Sequence, residues 1–174
     1  MLDRTRINIS VYEIAEEFHI SRASVKNIIK SYFKYCKEQV LLGYRIDFFG
    51  LVSIVPESDE VMERFSTTLA YNCREVALRT GISEYVVYSI MKAYTDSAIE
   101  SIKAGTIVEL RGLVVITPIC DSDGKIIKVH SSISQTIRGT LSDGSTSVKR
   151  IRVHTSRDLK TAIQEGRYEM VKMV

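Results

Sequence analysis

Apolar residues in the first third of the chain recur with two different periods. Val11, Ile14, Ala15 and Phe18 share one face of a short helix over residues 11–18. From about residue 22 to 42, Val25, Ile28, Ile29, Tyr32, Phe33, Cys36 and Val40 predict a longer helix with one buried side. The turn FHIS joins them, with Ser21 as N-cap, and Gly43 marks the C-terminal end. Two short strands then flank Gly50, where a residue without Cβ fits a tight hairpin turn.

The same pattern returns 62 residues later. Residues 20–56 align without a gap with residues 82–118, and 13 of the 37 positions are identical, among them Ser21/Ser83, Gly43/Gly105, Gly50/Gly112 and Pro56/Pro118. The match continues upstream through Glu13/Glu75 and Ala15/Ala77. An internal repeat of this kind makes each copy one supersecondary unit, helix-helix-hairpin. The first helix of the second copy covers about residues 71–80, and TGIS is its turn.

After the hairpins the copies diverge. The first passes into an acidic segment, ESDEVMERF, which starts with turn-like residues and leads back into helix. The second enters a polar, β-rich region with two turn signals, DSDG at 121–124 and SDG at 142–144. Strands are expected near residues 113–120, 125–138 and 146–153. A last amphipathic helix starts near Ser156, turns Leu159, Ala162 and Ile163 inward and ends by Gly166; the tail RYEMVKMV reads as a strand or a frayed end. The expected class is α+β: a first half unit over 1–56, an acidic linker over 57–69, and a second unit over 70–174 with a β-arm at 119–155 and a C-terminal helix.

At 174 residues and 45% hydrophobic content the chain can bury a real core, so global disorder is excluded. Its longest uncharged apolar stretches fall well short of a membrane span, and charges occupy the place of a signal peptide's apolar region. A soluble, unexported protein with no membrane partner is expected. Cys36, Cys73 and Cys120 lie far apart without a CxxC, which argues for buried reduced thiols and against a disulfide scaffold or a zinc site. His19, His130 and His154 lack metal-ligand spacing, no GxxxxGK[ST], GxGxxG or GxSxG occurs, and DSDGK lacks the rest of a calcium loop. Neither an enzyme nor a cofactor or metal is expected.

The net charge of +3 is small, but its distribution is uneven: residues 19–56 sum to +4 and residues 119–155 to +3. In the first copy, VYEIAEEFHISRASVKNIIKSY has the outline of a helix-turn-helix. Arg22, Lys26, Lys30, Lys34 and Lys37 fall within about 120° of arc on its second helix. A major-groove regulator is therefore one reading, although the equivalent positions of the second copy, Glu84, Tyr88, Lys92, Asp96 and Ile99, are not basic.

Taken in order, Gly81-Ile82-Ser83, a long helix closing on Lys103 and Gly105, and VELRGLVV at 108–115 resemble the HU and integration host factor family of small bacterial DNA-binding proteins. IRVHTSRDLKTAIQEG at 151–166 is similar to that family's last strand and closing helix. The resemblance covers the second copy over about residues 70–166 and the helix-helix-hairpin part of the first. It implies tandem units of this family, an interlocked pseudo-dimer made within one chain, and one arm reaching double-stranded DNA. Lys125, Lys128, Arg138, Lys149, Arg150 and Arg152 are the arm's candidate DNA-binding residues. It also implies a cytoplasmic, nucleoid-like location. Family arms kink DNA with a proline at the tip, whereas no proline follows Pro118 here, and Leu141 is the only bulky apolar residue beside either turn. An assembly subunit, for instance of a phage particle and hence of a virion, that meets protein partners through the same fold is the competing reading. Higher oligomers are left open.

Overall fold

The computed structural model describes residues 4–5, 10–58 and 66–172, and it is a mixed α+β fold with two small, mainly antiparallel sheets. In chain order the first half is built from β1 (Arg4–Thr5), α1 (Ser10–Glu17), α2 (Arg22–Leu41), β2 (Arg45–Phe48) and β3 (Val52–Ser58). β4 (Ser66–Thr67), α3 (Leu69–Thr80), α4 (Glu84–Lys103), β5 (Ile107–Leu110) and β6 (Val114–Cys120) follow. The offset of 62 carries β1, α2, β2 and β3 onto β4, α4, β5 and β6 with identical bounds. Local chemistry explains the coincidence. Ser21 and Ser83 both cap their helices, accepting from the backbone N–H of Ser24 and Val86. The turn between the paired helices needs a left-handed residue: Gly81 takes it at φ 73°, and His19 takes the same place at φ 56°.

The chain ends with β7 (Ile126–Ile133), α5 (Gln135–Ser142), β8 (Val148–Thr155) and α6 (Arg157–Lys172). Here the expectations are corrected. The strand predicted over 125–138 stops at Ile133, because Ser134 caps a helix, its Oγ accepting from the N–H of Ile137, and Ile137 and Leu141 face inward one turn apart. Residues 119–155 therefore form no extended β-arm: a tight turn at 121–125 replaces the arm, and α5 breaks the remainder in two. Leu141 lies on α5, packed against the core, and the exposed turn that follows it ends a helix and is not the tip of an arm. α6 passes Gly166 and continues to Lys172, so the tail is helical and not a strand up to that point. Of the acidic segment, Glu57 and Ser58 belong to β3, while residues 59–65, and with them the expected return to helix, lie outside the described residues.

The sheets interleave the two halves. One has the order β1-β5-β6-β7 and the other β4-β2-β3-β8. Thus β1, which precedes the first half, pairs in parallel with β5 of the second, and β4 pairs in parallel with β2 of the first. β7 stays beside β6, whereas β8 crosses to β3, setting Ile54 against Val153 and Val52 against Thr155. A bulge interrupts both third-strand pairings at equivalent places, Glu57/Ser58 and Ile119/Cys120. A second internal correspondence, at an offset of 22, relates β7, Ser134 and the start of α5 to β8, Ser156 and the start of α6.

Ser134 and Ser156 secure the same joint in each half. The Ser134 N–H donates to the Leu113 carbonyl at 3.0 Å and its hydroxyl to the Gly112 carbonyl; the Ser156 N–H donates to Leu51 at 2.9 Å and its hydroxyl to Gly50. Each closing helix is thereby tied to its hairpin turn. Beneath the sheets the buried apolar residues of both halves make one cluster. Phe33 of α2 stacks on Phe48 of β2 at 5.2 Å and meets Tyr94 of α4 edge-on at 5.3 Å. Arg79 of α3 pairs with Glu38 of α2 at 2.8 Å and covers the Tyr35 ring.

Ser134→Ala and Ser156→Ala should each cost about 1–2 kcal/mol, since each removes a helix cap and a hydrogen bond to a turn carbonyl. Because the two joints lie in different sheets, the double variant should lose close to the sum in urea unfolding.

Candidate nucleic-acid interface

Strand alternation and register decide which side chains the sheets present outward. In the sheet that holds β8, Arg45 and Asp47 of β2, Ser53, Val55 and Glu57 of β3, and Arg150, Arg152 and His154 of β8 share the outer face. In the other sheet the outer positions are Glu109 of β5, Val115, Thr117 and Ile119 of β6, and Lys128, His130 and Ser132 of β7. These faces carry four cations, Arg45, Lys128, Arg150 and Arg152, against three carboxylates, Asp47, Glu57 and Glu109. The surplus is one charge.

Much of that charge is already paired. Arg152 Nε donates to Glu57 Oε1 at 2.8 Å, and Arg45 donates to Asp47 Oδ1 at 3.2 Å, where the Ser53 hydroxyl also donates at 2.7 Å. Exposed pairs of this kind add little stability, but they lower the field that a phosphate would feel. Of the six residues expected to bind DNA, the structure brings Lys149, Arg150 and Arg152 together on β8. Lys128 stands on the other sheet, opposite Ile119. Lys125 lies in the β6–β7 turn, where its N–H and that of Asp123 both donate to Asp121 Oδ1 at 2.9 Å. Arg138 is exposed on α5, off both sheets.

The helices contrast with the sheets. α1, the FHIS turn and α2 adopt the helix-turn-helix order, and Arg22, Lys26, Lys30 and Lys34 are exposed along α2 while Lys37 is half-buried. On α4 the equivalent surface forms the rim of an apolar groove of about 460 Å³ lined by Leu69, Ala70, Cys73, Glu84, Tyr85 and Tyr88. Tyr85 is 68% exposed. This groove was missed in the sequence, where its only sign is the replacement of Ala23 and Lys26 by Tyr85 and Tyr88.

Among the described residues no three His, Cys, Asp or Glu side chains are grouped to hold a metal ion, and no helix is long and apolar enough to cross a membrane. One group of buried polar side chains lies on α2 and α3, Tyr32, Tyr35, Cys36, Asn72 and Cys73, while Thr95 is buried on α4 and Ser134 at the start of α5. Burial raises the Tyr32 phenol and the Cys36 thiol far above their ordinary range. It also pushes Tyr35 up to about 12, and burial together with Glu84 pushes Cys73 up to about 11. These environments keep the groups neutral and suit packing, not nucleophilic chemistry.

No family model, no curated protein and no solved structure matches this chain.

Because only a thiolate attacks a disulfide reagent, and raised pKa values hold Cys36 and Cys73 as thiols, native protein near pH 8 should expose one rapidly reacting thiol. That thiol is Cys120, which is exposed. Titration with a chromogenic disulfide should give about one equivalent natively and three in denaturant. More than one fast equivalent would show that the α2–α3 contact opens.

Proposed function

We propose that this protein is a non-enzymatic, sequence-tolerant binder of double-stranded DNA, built as an intramolecular pseudo-dimer of HU and integration-host-factor type. The observation that carries the reading is the exchange of strands between the halves. β1 and β4 each serve the other half's sheet, and β8–α6 completes the first half from the far end of the chain. Two helix-helix-hairpin units, each followed in its sheet by a third strand and a closing helix, support the reading of interlocked halves that the resemblance implies. In this reading the protein works beside the chromosome, in a nucleoid-like setting.

The mode of binding follows from what replaces the arm. The β6–β7 turn presents Asp121 and Asp123, whose charge a narrow minor groove repels, and it lacks a proline. Ile119 and Ile127 are exposed, but they sit on strands below that acidic tip. Binding then rests on phosphate contacts and leaves the duplex close to straight.

A second reading, an assembly subunit meeting protein as in a phage particle, is favoured by the groove beneath Tyr85 and Tyr88 and by the near-balanced sheet faces.

Two duplexes of unrelated sequence should bind with affinities within a few-fold of each other and weaken steeply with salt. Energy transfer between dyes at the duplex ends should change little on binding. A sharp kink would overturn the straight-duplex mode. No binding even at low salt would overturn DNA binding altogether and leave the assembly reading.

A further inference from the structure

The two halves share their buried positions and differ in what they show to solvent, so each half is a control for the other. Residues 22–37 of α2 hold five cations and no carboxylate. Residues 84–99 of α4, at the same places in the fold, hold Glu84, Lys92 and Asp96, with Lys92 paired to Asp96 at 2.6 Å and Glu84 to Arg74 at 3.3 Å. Since α4 takes the same place in the fold with only Lys92, the counterpart of Lys30, kept from those five cations, folding does not require the other four. Lys26, Lys30 and Lys34 are exposed and join no ion pair among the described residues.

From these facts we infer that the exposed side of α2, and not the sheet faces, is the principal phosphate-binding surface. The inference rests on the DNA-binding reading above and names its site. Lysines four residues apart rise about 6 Å from one to the next along a helix. The phosphates of one DNA strand form a continuous row of negative charge, so several lysines of this one helix face can meet phosphates at once. The residues beside the stripe permit this approach: Ala23 and Asn27 flank it, whereas Tyr85 stands at the place of Ala23 on α4. The stripe opens at the N-terminal turn of a 20-residue helix, whose dipole adds to the positive potential. On β8, by contrast, Arg152 is already held by Glu57. α2 thus acts as a cationic rail along the backbone, reading no bases.

The test is a salt titration of a 30-bp duplex by fluorescence anisotropy with the whole chain. Lys26→Ala/Lys30→Ala/Lys34→Ala should lower the slope of log K against log salt by about 2–3 units, near 0.9 per lost phosphate contact. Affinity near 0.1 M salt should fall tenfold or more. These exposed positions accept Ala without loss of helix propensity. A Gln triple, which keeps side-chain length and drops charge, should behave like the Ala triple, and an Arg triple should bind like the parent. Lys149→Ala/Arg150→Ala/Arg152→Ala should cost less than either uncharged triple. If the parent binds and the uncharged α2 triples keep its affinity and slope, the inference is overturned while the DNA-binding reading stands. If the β8 triple costs more, the interface returns to the sheet. A parent that binds no duplex at low salt overturns the reading and the inference together, and it is told apart by having no slope to lose.

Discussion

An open strand edge governs this architecture. A two-stranded hairpin alone is marginal in water, and its free edge offers unpaired N–H and C=O groups to any passing chain. β2–β3 and β5–β6 are both such hairpins, and each needs a third strand on one side and cover for the apolar face beneath. β7 supplies the strand locally for the second hairpin, and β8 supplies it for the first from the other end of the chain. The hydroxyls of Ser134 and Ser156 then lock the closing helices onto the Gly112 and Gly50 turns. With α2 and α4 in one shared core, neither half has a complete sheet or a complete interior of its own.

The sequence made some of this legible. Helix periodicity, serine caps and turn glycines are local signals, and they placed α2, α4 and both hairpins to within a residue or two, as well as the offset of 62. Strand partnership is not local. Nothing in IRVHT says whether it lies beside β6 or β3, because its alternating apolar positions satisfy either edge. The correspondence of β7–α5 with β8–α6 was hidden because only Ser134/Ser156 and Gly144/Gly166 are identical in the 19 positions from 126 to 144. α5 was concealed by composition: QTIRGTLS contains a glycine and two threonines, so its cap and its Ile137–Leu141 pair were outweighed by apparent β character.

The candidate site was legible in the opposite sense. Cations in the supposed arm were readily listed, but their worth depended on neighbours that only tertiary structure brings close, such as Glu57 beside Arg152. The α2 lysines were visible as a stripe, yet their significance came from comparison with α4, where the same fold carries tyrosines and paired charges. Shared buried positions with divergent surfaces leave the halves alike in packing and unlike in recognition.

The crossing of β8 to β3 also sets the order in which the chain can fold. Ile54 meets Val153 and Val52 meets Thr155, so the first half cannot close its sheet until β8 has been made. At roughly 5–20 residues per second, about a hundred residues separate these strands by some 5–20 s of synthesis. Throughout that interval the nascent chain carries a hairpin with an unsatisfied edge, while the second half, whose third strand follows directly, can assemble first. β8 is therefore the latch of the first hairpin, and a ribosome that stops before it releases a chain whose β2–β3 edge has no way to close.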